Sequence, residues 1–177
     1  MTKDAHTVSA SKPDWSRELT RGFWDPGRQL LKTIRVYQRH KQNTGLISQM
    51  ICKVTVLKHR FWSVVSGADI PLNSQIAGGL LIPHPNGIVI HPKAKIGPNC
   101  LIFQQVTLGS RSGGAPELGG HVDIGAGAKV LGDITLGNHV RIGANAVVMN
   151  DVPHNATAVG IPARVITKAN TGNTEQE

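Results

Sequence analysis

From Ile70 onward the apolar positions of the chain recur at every sixth residue. Ile90, Ile96, Ile102 and Leu108 form one run. A polar stretch, Ser110 to Glu117, interrupts it, and the run resumes as Leu118, Ile124, Val130, Leu136, Ile142 and Val148. Upstream, Ile70, Ile76, Ile82 and Ile88 keep the same step with an offset of two. Four residues after most of these aliphatics comes a small or medium residue, as at Ala94, Cys100, Val106, Val122, Ala128, Val140 and Ala146. Six is not a helical period, which needs apolar residues at i, i+3, i+4 and i+7, and it is too often broken by Gly and Asn for plain strand alternation. A short strand followed by a turn, repeated, fits it. Three such sides make a triangular coil of 18 residues, and coils stack at the usual ~4.8 Å strand spacing. The aliphatic fills the interior of the prism and the smaller residue fills its corner. Gly and Asn supply the backbone conformations that tight corners require. The register predicts about four coils, over 70–87, 90–107, 118–135 and 136–153, ending between Pro153 and Pro162.

The first third of the chain follows a different rule. Arg28 to His40 predicts a helix with Leu30, Leu31, Ile34 and Tyr37 on one side. Leu46 to Trp62 predicts another, with Ile47, Met50, Ile51, Val54, Leu57 and Phe61 spaced by threes and fours. Between a turn at Thr20 to Trp24 and the first helix lies Asp25-Pro26-Gly27. The expected organisation is a disordered tail over 1–13, a helical region over 14–66, a β-helix over 67–166 and a disordered tail over 167–177.

Charge and aromatic residues divide at the same place. Residues 1–65 hold 12 Lys/Arg against 4 Asp/Glu, and residues 66–177 hold 7 of each. Six of the seven aromatics lie in the first part, leaving Phe103 alone in the second. So few aromatics argue against a base-stacking surface, and no nucleic-acid motif accompanies the charge. No stretch is long and apolar enough to span a membrane, and no secretory leader is evident. Cys52 and Cys100 stand in no metal-like spacing. The expected setting is the cytoplasm, with both thiols free.

Particular segments then carry a resemblance. These are Ala68-Asp69-Ile70, His84-Pro85-Asn86-Gly87-Ile88-Val89-Ile90, Val106-Thr107-Leu108-Gly109, Ile124 to Gly132, and Val159-Gly160-Ile161-Pro162-Ala163-Arg164. From Ala68 to Ile166 the chain resembles the serine acetyltransferase branch of the hexapeptide-repeat acyltransferases. The resemblance implies a left-handed parallel β-helix, preceded here by a short helical region. It implies metal-free transfer of acetyl from acetyl-CoA to a hydroxyl, and assembly as a homotrimer. It makes His84 the general base, the role a near-neutral pKa suits, and Asp69, fifteen residues earlier, its orienting partner. Gly109 and Ala126 match positions that line the acetyl-CoA groove, and Arg164 and Lys168 are placed to meet its phosphates.

The chain departs from the family at the acceptor. Pro83 stands where the family has Asp before the base. Gly114-Ala115 stands where it has the Arg-His pair that engages the serine carboxylate. A neutral pair cannot hold a carboxylate bidentately. Arg111 is the candidate replacement. L-Serine and a sugar hydroxyl are therefore both carried as acceptors, with a non-catalytic trimeric scaffold as the third reading.

His121 and His139, one coil apart, are expected to stack. A zinc site at the pair lacks the third ligand and the spacing such sites use, so no metal is assigned. Cys100 falls on an interior column and reads as core. The basic, aromatic N-terminal region could meet an anionic membrane surface. The reading favoured over it packs the apolar helix faces against the β-helix and exposes Lys and Arg.

Overall fold

The period of six is realised as three parallel ladders that stack into a prism. The structure is a computed structural model and describes residues 8–166. Face one joins β1 (Gln75–Ile76), β3 (Lys95–Ile96), β6 (Glu117–Leu118) and β9 (Thr135–Leu136). Face two joins β4 (Leu101–Ile102), β7 (Asp123–Ile124), β10 (Arg141–Ile142) and β12 (Thr157–Gly160), and β13 (Ala163–Ile166) turns back antiparallel on β12. Face three joins β2 (Val89–Ile90), β5 (Thr107–Gly109), β8 (Lys129–Leu131) and β11 (Val147–Val148). Single bridges from Leu81 to Leu101 and from Asp69 to Val89 carry faces two and three into the first coil. The aliphatics expected inside are inside: Ile70, Ile90, Ile102, Leu108, Ile124, Val130 and Leu136 are all buried. Full burial of one such side chain contributes about 1.5–3 kcal/mol, so the repeated column is the main source of cohesion.

The register breaks only where a corner is longer. In a regular corner the buried residue follows the inward aliphatic by four positions, as Cys100 follows Ile96 and Val106 follows Ile102. Between faces two and three of the first coil that step stretches from Ile82 to Ile88, and the surplus residues include Pro83 and His84. Between faces three and one of the next coil it stretches from Leu108 to buried Pro116. Here the extra residues close a small hairpin in which the Arg111 and Gly114 backbones exchange hydrogen bonds of 3.0 and 3.2 Å. Both long corners border face three. The corner column between faces one and two holds Gly79, Asn99, His121, His139 and Asn155, all at positive φ.

In the N-terminal region a short 3-10 turn (Trp15–Glu18) precedes α1 (Pro26–His40) and α2 (Leu46–Ser66). The second helix runs one turn past its expected end, because its stop is Gly67 in the left-handed conformation rather than the last apolar residue. Leu30, Leu31 and Ile34 of α1 are buried at the first coil. Gly27 permits this approach: a Cβ there would stand 2.7 Å from the Ile82 carbonyl oxygen.

Two expectations change. Residues 8–13 are not a loose tail. The Asn99 amide donates to the carbonyls of Ser9 (2.7 Å) and Lys12 (2.8 Å), and its oxygen accepts from the Asp14 N–H (2.8 Å). Residues 1–7 and 167–177, including Lys168, lie outside the described residues. The second change concerns α2, whose apolar stripe does not pack on the β-helix. Its buried residues are Thr55, His59, Trp62 and Ser66, while Ile47, Met50, Val54, Leu57, Phe61 and Val64 are exposed.

Candidate active site

His84 projects from the long corner that leads into face three and is exposed. It lines a cleft of about 540 Å³ with Leu81, Ile82 and Pro83 on one wall and Arg21, Gly22, Trp24, Asp25 and Arg28 on the other. The second wall is the segment entering α1. Arg28 is fixed there: its Nη1 donates to Asp25 Oδ2 (3.2 Å) and its Nε to the Arg17 carbonyl (3.0 Å). The Arg21 backbone N–H donates to the same Asp25 oxygen (3.2 Å), and its guanidinium has no hydrogen-bonded partner among the described residues. An uncommitted cation therefore faces the cleft that holds the candidate base. Sequence reading missed Arg21 and Arg28 because more than fifty residues separate them from His84; Asp25-Pro26-Gly27, which aims this segment at the first coil, was the available signal.

Asp69 is exposed at the first position of face three, bridged to Val89. No hydrogen bond or ion pair joins it to His84 among the described residues. Its charge acts instead on His59 of α2. Burial lowers the His59 pKa, while the Ile70 backbone and Asp69 pull it back upward. The His59 Nδ1 is 2.9 Å from Thr33 Oγ1 of α1.

The remaining site residues are spread around face three. Gly109 ends β5 and pairs with Leu131; Ala126, five residues before Leu131, sits at the opposite corner of the same face. Arg111 is exposed on the hairpin corner, its Nη1 3.5 Å from Met149 Sδ, over a second cleft of about 370 Å³ shared with Gly132 and Asp133. It does not reach the His84 cleft of its own chain. Val89 and Thr107 are level in face three, with His84 five residues before one and Arg111 four after the other. The two residues therefore lie beyond opposite ends of face three. Arg164 is exposed on β13, paired in register with Val159.

His121 and His139 meet at adjacent levels of one corner as their spacing predicts, but edge to face rather than stacked, with Nδ1 atoms 2.8 Å apart and ring centroids at 5.0 Å. At that separation one ring N–H donates to its neighbour's bare nitrogen, and burial lowers the His121 pKa. No cluster of three metal-ligating side chains occurs among the described residues. Cys100 is buried, and burial pushes its thiol up to about 12. It is held in the thiol form at neutral pH and is no nucleophile.

No protein-family model matches the chain. Individual proteins do. Serine acetyltransferase from Synechococcus elongatus is 40% identical over 149 residues, covering 81% of this chain and 58% of the relative. Soybean serine acetyltransferase complexed with serine superposes with a TM-score of 0.68 at 34% identity, over 80% of this chain and 57% of that one. A serine acetyltransferase in complex with CoA gives a TM-score of 0.66 at 34% identity, over 81% and 58%. These findings bear out the resemblance carried by the hexad motifs, and with it the β-helical fold. The chain is similar to serine acetyltransferases across four-fifths of its own length, and it spans a little under three-fifths of theirs.

Proposed function

We propose that the protein is an acetyl-CoA-dependent O-acetyltransferase acting on a small hydroxyl acceptor, with L-serine as the leading candidate. The observation that carries this reading is the identity of about 40% with serine acetyltransferases through the segments that hold His84, Gly109 and Ala126. His84 is the general base. It takes the proton as the acceptor oxygen attacks the thioester carbonyl carbon; the C–S bond then breaks, and the proton passes to the departing sulfur. Transfer is direct, and the buried Cys100, held as a thiol, carries no acyl group. Asp69 is assigned as the partner that orients His84. Gly109 and Ala126 mark the two ends of the groove for the CoA arm, and Arg164 with Lys168 meets its phosphates. The active form is a homotrimer in the cytoplasm, where both cysteines stay reduced.

One observation favours a second acceptor. Gly114-Ala115 leaves the hairpin without the Arg-His pair, so a neutral sugar hydroxyl suits this loop as well as an amino acid does. An acceptor panel decides. Protein and acetyl-CoA are incubated with L-serine, other hydroxy amino acids, and simple or nucleotide-linked sugars, while free thiol is followed. Turnover with L-serine means that Arg21, or Arg111 from a neighbour, replaces the missing pair. Turnover with sugars alone shifts the acceptor and keeps the chemistry. If no acceptor is used and acetyl-CoA does not bind, the reading fails and the scaffold takes its place.

A further inference from the structure

The second helix is inverted. An amphipathic helix on a globular protein turns its apolar stripe inward. α2 turns Thr55, His59, Trp62 and Ser66 inward and presents Ile47, Met50, Val54, Leu57, Phe61 and Val64 to solvent. These six alternate in steps of three and four, a continuous seam about 25 Å long at 1.5 Å per residue. Exposed Phe23 and Trp24 extend the apolar surface beyond the helix, and both rings meet Trp62 edge-on. Beside the seam an apolar cleft of about 590 Å³ opens between α1 and α2, with Lys32 and Lys58 among the residues that line it.

The charge around this surface selects its occupant. Residues 26–67 carry eight Lys/Arg and no Asp/Glu. Lys32, Arg39, Lys41, Lys53, Lys58 and Arg60 are exposed and form no ion pair among the described residues. A seam of this spacing would suit a second copy, but Lys53 and Arg60 flank it on one side and Lys58 on the other. Paired with itself in either direction, the helix would set like charges together. The apolar surface is also broader than a single seam, since it draws on a second element and on the apolar cleft of about 590 Å³ between the two helices. No helix among the described residues is long and apolar enough to cross a membrane. An amphipathic helix with aromatic residues and a purely basic flank lies in the plane of an anionic bilayer.

We infer that α2 seats this protein on an anionic lipid surface, with the slot between α1 and α2 taking an acyl chain and Lys32 and Lys58 meeting its headgroup. The docking is read from α1 and α2 alone and does not depend on the transfer reaction. The test is sedimentation of the full chain with vesicles of phosphatidylcholine, alone or mixed with phosphatidylglycerol, at low and high salt. Two variants, L57S/F61S and K53E/K58E/R60E, change only exposed positions, and circular dichroism checks their fold. Light scattering follows the oligomeric state of each. Binding is expected to the mixed vesicles only, to fall with salt, and to drop on the order of a hundredfold in the charge variant. Loss in the serine variant with an unchanged oligomeric state supports the seat. Absence of binding to mixed vesicles overturns it, as does binding that neither variant weakens. A change of oligomeric state in L57S/F61S also overturns it and assigns the face to a second copy.

Discussion

Removing the Glu18 carboxylate should weaken the seat of the N-terminal region on the β-helix at a cost of about 3–5 kcal/mol, the range for breaking one partner out of a buried ion pair. The Glu18 and Arg35 side chains are only 8% and 16% exposed. Arg35 donates to Glu18 through Nε (2.9 Å) and Nη2 (2.8 Å), and to the carbonyls of Ile76 (2.6 Å) and Ala77 (2.7 Å). Glu18 Oε1 also accepts from the backbone N–H of Gly79 (2.8 Å) and Leu80 (3.1 Å). In Glu18→Ala the guanidinium keeps its two carbonyls and loses its counter-charge, and two backbone donors lose their acceptor. Each orphaned donor costs about 1–3 kcal/mol when water cannot reach it. The remaining exposure admits some water, which places the loss toward the lower end of the range. That is still a large share of the 5–15 kcal/mol by which domains are stable. The assay is urea unfolding at fixed protein concentration, read as a shift in midpoint at unchanged slope. The double variant Glu18→Leu/Arg35→Met, which removes both charges, should lose markedly less than Glu18→Ala. A loss below about 1 kcal/mol in Glu18→Ala, or equal losses in the single and double variants, would refute the reasoning.

Three further outcomes are expected. His84→Ala should lower kcat by about 10²–10⁴-fold, the usual contribution of a general base, with thermal stability kept because His84 is exposed. Arg21→Ala should raise KM for the acceptor while leaving kcat and KM for acetyl-CoA near their original values, as steady-state kinetics would read. Burial lowers the His59 pKa below its ordinary 6.5, so the unfolded chain binds the proton more readily than the fold does. The stability tied to neutral His59 is complete above about pH 6.5 and is lost as pH falls through the folded-state value; thermal melts from pH 7.5 to 5 should therefore decline less steeply in His59→Gln.

The prism was legible in the sequence because stacking imposes its own period: each interior column repeats only if the chain returns after a fixed number of residues. The two breaks in that period were legible too, as an offset at Ile88 and a polar insert after Leu108, although nothing in the sequence alone said that both were corners of one face. The helices were legible as helices, but periodicity fixes that α2 has an apolar face without fixing which way it points. The direction is set by His59 reaching Thr33 and by Trp62 packing under Phe23 and Trp24, contacts between distant residues. Residues 8–13 escaped for the same reason, since Asn99 holds them and no local signal marks that contact. The resemblance made Asp69 the partner of His84, and no hydrogen bond or ion pair joins the two among the described residues, which spacing along the chain does not foretell.

The placement of His84 and Arg111 beyond opposite ends of face three bears on how many copies make one site. The two long corners lie at opposite ends of face three, so one chain presents a base at one end and a cation at the other. In the proposed homotrimer, a neighbouring copy could bring its trailing corner to the leading corner of the first. If Arg111 serves a neighbour's His84, the residues can be supplied by different chains. His84→Ala and Arg111→Ala would each be poorly active alone. If the protein is the proposed homotrimer, co-refolding the two variants in equal amounts gives about a quarter of the sites an intact His84 from one copy and an intact Arg111 from the next, so about a quarter of the original turnover should return. A mixture as inactive as its components would mean that both residues act within one chain, against the geometry of face three. Full activity of Arg111→Ala alone would take Arg111 out of the site and leave Arg21 as the cation that faces the acceptor.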